Sequence, residues 1–566
     1  MKRIPYGISN FKTLVEENYY YVDKTKYIEK LENLNTKYLI LLRPRRFGKS
    51  LFISTLEYYY DIRYKDEKLF DNFYIGKNPT KMKNSYYVLS FNFSGINTSS
   101  KDGTVSGFNN NVANGIERFL SRYEIDVNID REKSAAEMLD DFFNKIEKLI
   151  NGKVYILIDE YDHFANELLS FEYEFFSKSV SENGFVRKFY EVIKNGTQDG
   201  IVDRLFMTGV NSITLDSMTS GFNIIENLTI KPEFNETMGF TKDEVLKLAD
   251  ETIKDKMDIR ENLEKLREYY DSYKFHIDGK EHIYNSDMVL YYMNSIQQYG
   301  KEPEDMIDRN VVSDYGKIGR LFEVGGFDNE RIEILKQIVK GEDIEVKIVE
   351  KFTLGNKFGR DDFKSLLFYM GFLTIKRIDE FGSLYLGIPN YVIKELYYEY
   401  FEKLIEEHTK YNIDNSDIRE AIKELAKDGK IDKLVKLVED TLHRLSNRDF
   451  IKFDEKYVKV ILLGFLFKSN IYFAKSEYEI EDGYIDIALL KGTIGKPRYY
   501  GIFELKYISK SDYNKHGEEL VKEKMGEAKE QLAKYEKSED LKKLPNLKKF
   551  ALVFVGEKCR VEEIIK

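Results

Sequence analysis

Cysteine and histidine are scarce in this chain of 566 residues, and tryptophan is absent. The single cysteine, Cys559, excludes an intramolecular disulfide and a cysteine-based zinc site. The six histidines are scattered and show no spacing typical of metal ligands. Any bound metal is therefore expected to have oxygen ligands.

Long apolar runs are also missing. No run reaches the ~18 residues needed to cross a bilayer, and the first residues, Met1-Lys2-Arg3-Ile4-Pro5, lack the apolar stretch of a signal peptide. We therefore expect a cytoplasmic protein with no membrane partner. The net charge of −10 argues against a generally basic binder of nucleic acid, although it leaves a local binding site open.

The composition that remains is that of a globular protein. Hydrophobic residues make up 42% of the chain and charged residues 33%, with 42 Tyr and 39 Phe to build aromatic-rich cores. A chain of this length is expected to hold roughly three or four domains.

One segment near the start carries the strongest functional signal. A predicted buried strand, Tyr38 to Leu42, runs directly into Arg43-Pro44-Arg45-Arg46-Phe47-Gly48-Lys49-Ser50-Leu51. This is a phosphate-binding loop with arginine in place of the first glycine, in which the lysine reaches the terminal phosphates and the hydroxyl ligates magnesium. The three arginines and the proline predict a more basic and stiffer loop than usual. The alternative interpretation of this segment is a basic turn that caps a helix. The predicted nucleotide-binding residues of the loop are Arg43, Arg45, Arg46, Phe47, Gly48, Lys49, Ser50 and Leu51.

A second predicted strand supplies the acidic partner of that loop. Residues 153 to 158 are mostly apolar and end in Asp159 and Glu160. We expect Asp159 to hold magnesium together with Ser50, and Glu160 to polarise the attacking water. Further strands are predicted at residues 87 to 93 and 204 to 210, and Thr208 or Asn211 is the candidate phosphate sensor. The set predicts a parallel sheet with crossover helices.

These residues carry a family resemblance. The segments 6 to 11, 21 to 25 and 43 to 51 closely resemble the bacterial AAA-ATPase-like family, whose members typically carry a C-terminal PD-(D/E)XK nuclease-like domain; later matches lie at residues 239 to 241, 270 to 275 and 284 to 286. The resemblance implies that Arg43 is a family trait and that Asp23, Lys24 and Thr25 lie near the nucleotide base. The alternative for Asp23 is a cap on the helix that follows at Tyr27 to Leu31.

The fold class expected from these patterns is α/β with four parts. Residues 1–235 form an AAA-ATPase-like P-loop NTPase domain, 236–300 a helical lid, 301–410 a winged-helix-like connector and 411–566 a PD-(D/E)XK nuclease-like, restriction-endonuclease-like α/β domain. The connector is predicted from a pattern of two helices followed by a hairpin. Its mixed charges favour a structural part over a DNA-binding one.

The C-terminal part has the element order of a restriction-endonuclease-like core. An apolar helix is followed by three strands, a charged helix from His516 to Tyr535 and a last strand. Asp486 and Glu504 fall on adjacent strands, where hard oxygen ligands suit Mg²⁺ or Mn²⁺. Lys506 is expected to orient the attacking water or to stabilise charge on the phosphate. Gln531 matches the glutamine that the family carries on its helix, and Glu477 and Glu479 are further candidate metal contacts.

Three functions follow as hypotheses. The first is an ATP-dependent regulator of a metal-dependent nuclease that cleaves DNA or RNA, with Asp486, Glu504, Lys506, Gln531 and Glu160 as catalytic residues. The second is a nucleotide-dependent switch or scaffold whose nuclease fold is inactive. The third, least favoured, is a DNA-binding regulator built on the winged-helix segment, since no basic recognition helix is evident. Hydrolysis in such ATPases often needs an arginine from a neighbouring subunit, so a homo-oligomer with Arg187 or Arg204 as the supplier is expected.

Overall fold

The computed structural model describes residues 1–164, 175, 178–179, 184–212, 223–308, 329–352, 359–409, 414–445, 454–481, 483–535 and 538–564. The chain folds into two compact units. The first comprises Met1–Lys301, Asp308–Ile334 and Asp343–Tyr391, and the second comprises Glu302–Ile307, Leu335–Glu342 and Val392–Lys566.

A five-stranded parallel sheet forms the centre of the first unit. Its strands are β1 (Tyr38–Leu42), β2 (Tyr86–Asn92), β3 (Lys153–Asp159), β4 (Val202–Gly209) and β5 (Glu226–Asn227), in the order β2-β3-β4-β1-β5. Every residue of β3 after Lys153 is buried, as expected of a strand covered on both faces. The structure thus confirms the predicted parallel sheet, and β1 and β3 have the predicted bounds.

Helices connect these strands and cover the sheet. The helix α3 follows the phosphate loop and packs on β2, β3 and β4. The helices of this region are α1 (Phe11–Glu16), α2 (Lys26–Glu32), α3 (Lys49–Tyr60), α4 (Tyr74–Lys77), α5 (Lys101–Arg122), α6 (Ala135–Ile146) and α7 (Phe185–Gln198).

The segments predicted as lid and connector follow this sheet along the chain, and part of the connector, residues 302–307 and 335–342, belongs to the second unit. The lid consists of α8 (Lys242–Thr252), α9 (Leu263–Tyr270) and α10 (Ser286–Tyr299). The connector contains α11 (Asn329–Val339), α12 (Arg360–Tyr369) and the antiparallel strands β6 (Ile344–Val346), β7 (Thr374–Ile378) and β8 (Leu384–Gly387), in the order β6-β8-β7. This is the predicted winged-helix outline, with β6 as a strand that the sequence did not reveal. Residues 309–328 of the predicted connector lie outside the described residues.

The second unit contains a five-stranded mixed sheet. Its strands are β9 (Tyr472–Ile480), β10 (Gly483–Lys491), β11 (Tyr500–Ile508), β12 (Leu547–Val555) and β13 (Lys558–Glu563), in the order β13-β12-β11-β10-β9. Only β11 and β12 pair in parallel; the other pairs are antiparallel. The predicted element order is confirmed, and β13 is an addition to it.

Helices frame this second sheet. They are α13 (Tyr391–Thr409), α14 (Asn415–Asp428), α15 (Asp432–Leu445), α16 (Glu455–Leu466), α17 (Lys510–Lys534) and α18 (Glu539–Lys542). The helix α17 begins six residues before the predicted His516, because the Ser509 side chain caps it by accepting from the Asp512 amide. A kink at Gly517, with φ +61°, separates that first stretch from the rest. Within the described ranges, no helix combines the length and the apolar character needed to span a bilayer.

Candidate functional sites

The phosphate loop lies at the carboxyl end of β1, where parallel α/β sheets bind ligands. Gly48, with φ +88°, makes the turn into α3, so the amino end of that helix points at the loop. A cavity of about 490 Å³ opens there. Its walls include seven loop residues, namely Arg45, Arg46, Phe47, Gly48, Lys49, Ser50 and Leu51, and also Lys24, Glu160, His163, Ser286 and Asp287.

The predicted magnesium and lysine partners meet at this cavity. The Ser50 side chain lies close enough to the Asp159 carboxyl to lower its pKa, against the larger opposite effect of burial. Lys49 Nζ donates to the Pro44 carbonyl at 3.1 Å and lies 4.0 Å from Glu160 Oε1. The ends of β1 and β3 therefore bring together the two motifs that are separated by about a hundred residues in the sequence.

The pKa values of Asp159 and Glu160 are shifted in opposite directions. Burial raises the pKa of Asp159, and the Glu160 charge adds to this effect. Burial by itself would also raise the pKa of Glu160. A hydrogen bond from His163 and the charges of Lys49 and Arg45 outweigh burial and lower that pKa to about 2. Glu160 is therefore a carboxylate at neutral pH.

One residue of the cavity wall, His163, was not predicted from the sequence, whereas Lys24 was expected near the nucleotide base. His163 Nδ1 lies 3.4 Å from Glu160 Oε2, within one turn after the acidic strand. A histidine three residues after the acid was the available signal. Lys24, whose Nζ lies 2.7 Å from Glu244 Oε2, lines the cavity beside the predicted Asp23.

Arg46 joins the loop to the lid helix α10. Its backbone is left-handed at φ 68°, and its carbonyl accepts from the Ser286 hydroxyl and the Asp287 amide. Its guanidinium lies 3.4 Å from Asp287 Oδ2. The loop conformation is thus fixed partly by residues more than two hundred positions away, at the amino end of α10.

Arg43 does not line the cavity. The side chain is 1% exposed and donates to the carbonyls of Leu42 and Thr229 at 2.8 and 3.0 Å and to that of Phe234 at 2.6 Å. It also stacks on Phe275, 4.0 Å from the ring centre, and burial lowers its pKa to about 9. The structure therefore places Arg43 as a tie between β1 and the segment 229–234, which differs from the predicted nucleotide contact.

Asp23 and Thr208 also face protein groups. Asp23 accepts from the Thr25 amide and hydroxyl and from the Tyr74 amide, so its contacts support the alternative of a local cap. The Thr208 hydroxyl donates to the Leu41 carbonyl at 2.8 Å and is fully buried. Neither residue belongs to the cavity wall, because these hydrogen bonds direct both side chains into the fold.

The two candidate arginine suppliers are also engaged within the fold. Arg204 is 3% exposed and lies among tyrosines on β4, so it cannot reach a neighbouring subunit from this position. Arg187 Nε donates to Glu191 Oε1 at 3.0 Å on the same helix.

The second candidate site lies on β10 and β11. Their antiparallel register pairs Ile487 with Phe503, and the next position along places Asp486 opposite Glu504. Asp486 Oδ2 accepts from the Leu505 amide at 2.8 Å, and Lys506 Nζ lies 3.0 Å from Glu504 Oε1. The structure therefore brings together the three residues that the sequence placed on adjacent strands.

The Glu504 carboxyl is electrostatically strained. Burial and then the nearby Asp486 charge raise its pKa to about 7, although Lys506 and the Tyr535 hydroxyl oppose the shift. Burial alone would lower the pKa of Lys506, but its attraction to Glu504 raises it overall. A carboxyl with a strongly shifted pKa beside a second acid and a lysine is typical of functional sites.

Helix residues complete this site, and the sequence pattern did not reveal them. Lys459 of α16 lies 2.8 Å from Asp486 Oδ1 and also contacts Glu477. Burial raises the pKa of Glu455, one turn earlier on α16, and Asp486 adds to this shift while Lys506 opposes it. Tyr535 donates to Glu504 Oε2 at 3.3 Å.

The two predicted upstream acids differ in their positions. Glu477 contacts Lys459 and so joins this cluster, whereas Glu479 is exposed and lies opposite Tyr484 on the neighbouring strand.

The oxygen donors present suit a divalent cation. Asp486 and Glu504 supply carboxylates, and Gln531, one turn before Tyr535 on α17, has a buried Oε1 with no hydrogen-bond partner among the described residues. In the part of the chain that the structure describes, no group of three or more acidic, histidine or cysteine side chains is arranged to hold a metal ion. A cation here would therefore complete its coordination with water or substrate oxygens.

Comparisons with known proteins agree with this layout. Residues 5–219 match the model of a family described as a predicted AAA-ATPase, and residues 453–564 match that of the PD-(D/E)XK nuclease superfamily. The predicted arrangement of an N-terminal ATPase-like and a C-terminal nuclease-like part is thereby confirmed.

Individual relatives are more distant. An uncharacterized protein in the vnfD 5′ region of Azotobacter chroococcum mcd 1 is 27% identical over 249 residues, which are 43% of this chain and 44% of that protein. The chain thus spans less than half the length of that relative.

Among solved structures, the Aeropyrum pernix ORC1 protein in complex with DNA has a TM-score of 0.28 at 10% identity, and the match covers 67% of this chain and 93% of that one. The Aeropyrum pernix ORC2 protein in ADPNP–ADP complexes has a TM-score of 0.32 at 12% identity, covering 68% and 92%.

Proposed function

We propose that ATP binding and hydrolysis regulate a metal-dependent nuclease that acts on DNA or RNA phosphodiesters. The chain joins an AAA-ATPase-like part to a PD-(D/E)XK nuclease-like part, which are the two parts that this function needs. The observation that carries the proposal is the convergence of Asp486, Glu504 and Lys506 on two adjacent strands of a chain that also has a phosphate-loop cavity. The substrate class follows from the nuclease-like part.

The cavity residues have distinct roles in this proposal. The amides at the start of α3 and Lys49 bind the phosphates of ATP, and Ser50 and Asp159 would hold Mg²⁺. When bound, the ion neutralises phosphate charge. Glu160, ionised and held by His163, polarises the attacking water and accepts its proton. Arg45 and Arg46 supply further positive charge on the cavity wall.

The nuclease-like site works by analogous chemistry. Asp486 and Glu504 would hold Mg²⁺ or Mn²⁺, which supplies Lewis-acid polarisation of the phosphate when bound. Lys506 stabilises negative charge that develops on the phosphate, and Gln531 presents a free carbonyl oxygen toward the same helix face as Tyr535. The acids position the cation, and the lysine positions the phosphate.

A second candidate function is a nucleotide-dependent switch or scaffold with an inactive nuclease fold. The observation in its favour is that both carboxylates are already paired with lysines, Asp486 with Lys459 and Glu504 with Lys506. A homo-oligomer that supplies an arginine to the ATP site belongs to the first function.

One panel of assays separates the two functions. The full chain is incubated with single- and double-stranded DNA and RNA, with Mg²⁺ or Mn²⁺, with and without ATP. We expect divalent-dependent cleavage that Asp486→Ala and Lys506→Ala abolish while ATP binding remains, and Lys491→Ala at the exposed end of β10 serves as the matched control. Unchanged cleavage by both site variants would exclude the proposed nuclease site.

The ATPase is tested in the same preparation. We expect Lys49→Ala to abolish the effect of ATP on cleavage, and Glu160→Gln to slow hydrolysis by about 10²- to 10⁴-fold while binding is retained. The switch predicts a different result. The unmodified chain would bind ATP tightly, hydrolyse it no faster than the Lys49→Ala variant and cleave no nucleic acid.

A further inference from the structure

Lys459 lies at the centre of the candidate nuclease site. It is 9% exposed, projects from α16 and contacts two carboxylates that belong to different strands, Glu477 on β9 and Asp486 on β10. An ammonium group buried among acids fills the electrostatic position that a cation would otherwise take.

The hydrogen bonds of Asp486 make this contact specific. Its Oδ2 is held by the Leu505 amide at 2.8 Å, so Oδ1 is the oxygen not engaged by the backbone. Lys459 Nζ lies 2.8 Å from that Oδ1. A divalent cation bound by Asp486 through Oδ1 has to take the place of the lysine ammonium, because the two positive groups would otherwise share one oxygen at close range.

We propose that Lys459 is an internal counter-ion that competes with the divalent cation for Asp486, so that metal binding requires Lys459 to leave Oδ1. This inference rests on the proposed nuclease site. On leaving, the ammonium remains beside the site on α16 and becomes a group that can bind a substrate phosphate. Lys459 is therefore a positioning residue that links cation binding to phosphate binding.

The matched control is Lys394. Its Nζ contacts the Ser476 hydroxyl. Burial lowers the pKa of Lys394 and the Lys459 charge lowers it further, so the two lysines lie in the same electrostatic environment. Removing the Lys394 charge changes the local electrostatic field but removes no contact to Asp486. Comparing the Lys459 and Lys394 variants therefore distinguishes direct competition for Asp486 from the effect of a nearby charge.

The test measures Mn²⁺ binding to the full chain by calorimetry and electron paramagnetic resonance without nucleotide or substrate. We expect Lys459→Met to bind Mn²⁺ at least about tenfold more tightly than the unmodified chain, Lys459→Arg to stay near the unmodified value, and Lys394→Met to change affinity by less than about threefold. Adding Asp486→Ala to Lys459→Met should remove the gained binding.

The outcomes separate the inference from the proposed function. If Mn²⁺ binds the unmodified chain but Lys459→Met binds it equally or more weakly, the inference is overturned and the nuclease site stands. If no variant binds Mn²⁺, both fail. Should Lys459→Met not fold, lysine-specific labelling with mass spectrometry on the unmodified chain decides the question. Labelling of Lys459 that rises when Mn²⁺ is added supports the inference, and labelling that stays unchanged overturns it.

Discussion

The guanidinium of Arg43 makes its hydrogen bonds to main-chain carbonyls at the end of β1 and in the segment 229–234, and it stacks on Phe275. Three buried carbonyls, those of Leu42, Thr229 and Phe234, accept from this one side chain. A glycine at the same position would supply none of the donors, so the arginine contributes to the fold around the loop more directly than to the nucleotide.

We predict that Arg43→Gly, which restores the usual glycine, destabilises the first unit by about 3 kcal/mol, because buried carbonyls lose their donors. Hydrogen exchange of the β1 and β4 amides under mild denaturant measures this loss. Arg45→Gly, which changes a residue of the cavity wall, should leave that exchange within about 0.5 kcal/mol and weaken ATP binding. Unchanged protection in Arg43→Gly with weaker ATP binding would show that Arg43 is a nucleotide ligand after all.

A second buried group, Asp271, opposes folding at neutral pH. It is 5% exposed, and its Oδ1 has no hydrogen-bond partner among the described residues. Burial raises its pKa to about 6, against opposing effects of the Ser272 amide and Arg267. The folded state therefore binds the Asp271 proton more tightly than the unfolded state does. The contribution of this carboxyl to the free energy of unfolding falls as pH rises from about 4 to about 6 and stays low at higher pH.

We therefore predict that Asp271→Asn stabilises the chain at pH 7.5 by up to about 3 kcal/mol and that this gain shrinks toward zero near pH 4. The measurement is the difference in unfolding free energy between the variant and the unmodified chain across that pH range. Asp278→Asn, at a side chain that is 79% exposed, is the control and should show no such trend. A gain that is independent of pH would contradict the assignment to Asp271 ionisation.

At the scale of elements, the amino end of α10 is joined to the phosphate loop. The Ser286 hydroxyl and the Asp287 amide both donate to the Arg46 carbonyl, which stabilises a left-handed backbone that costs an arginine roughly 1 kcal/mol or more. The Phe47 carbonyl accepts from the Gly239 amide at 3.0 Å, just before α8. The lid thus helps to hold the loop in the shape proposed to bind phosphate.

We predict that Ser286→Ala weakens ATP binding about fivefold, because one hydrogen bond worth about 1 kcal/mol no longer supports the Arg46 backbone. Titration with ATP measures the affinity, and hydrogen exchange at Phe47 and Gly48 measures the loop. Ser295→Ala, on the same helix α10, loses only a hydrogen bond to the carbonyl of Lys301 just after the helix; it is the control and should bind ATP normally. Weaker binding with unchanged loop exchange would instead indicate that Ser286 contacts the nucleotide directly.

The elements also show what the sequence could predict. Strands β1 and β3 were predicted with the observed bounds, because continuous apolar runs end abruptly at Arg43 and after Asp159. The meeting of Asp486 with Glu504 followed from their places on neighbouring strands. Lys459 and the tie from Arg43 to Thr229 were not predictable, since they depend on how a helix or a distant segment packs and no periodic pattern encodes that.

At the scale of the whole molecule, the chain crosses between its two compact units more than once. Residues 302–307 and 335–342 belong to the second unit, although the segments around them belong to the first. The helix α13 precedes the border predicted at residue 411, yet most of it belongs to the second unit. Within that unit Tyr398 stacks on Phe467, and its hydroxyl donates to the Val339 carbonyl.

The position of the C-terminal border leads to the last prediction. A fragment of residues 411–566 lacks α13 and uncovers the partners of that helix, which include Phe467, Tyr457 beside Phe401, and Lys468 paired with Glu402 at 2.7 Å. Burial of an aromatic side chain contributes about 2–3 kcal/mol, so the loss of Tyr398 and Phe401 should cost several kcal/mol. We expect the fragment 392–566 to melt at least about 10 °C above the fragment 411–566, measured by circular dichroism.

A variant of the longer fragment isolates the cause. Tyr398→Ala with Phe401→Ala in residues 392–566 should lose most of the added stability, whereas Lys403→Ala at an exposed position of the same helix should keep it. Equal melting temperatures of the two fragments would place the border at residue 411, as the sequence predicts, and would make α13 a connecting helix without a role in the nuclease-like core.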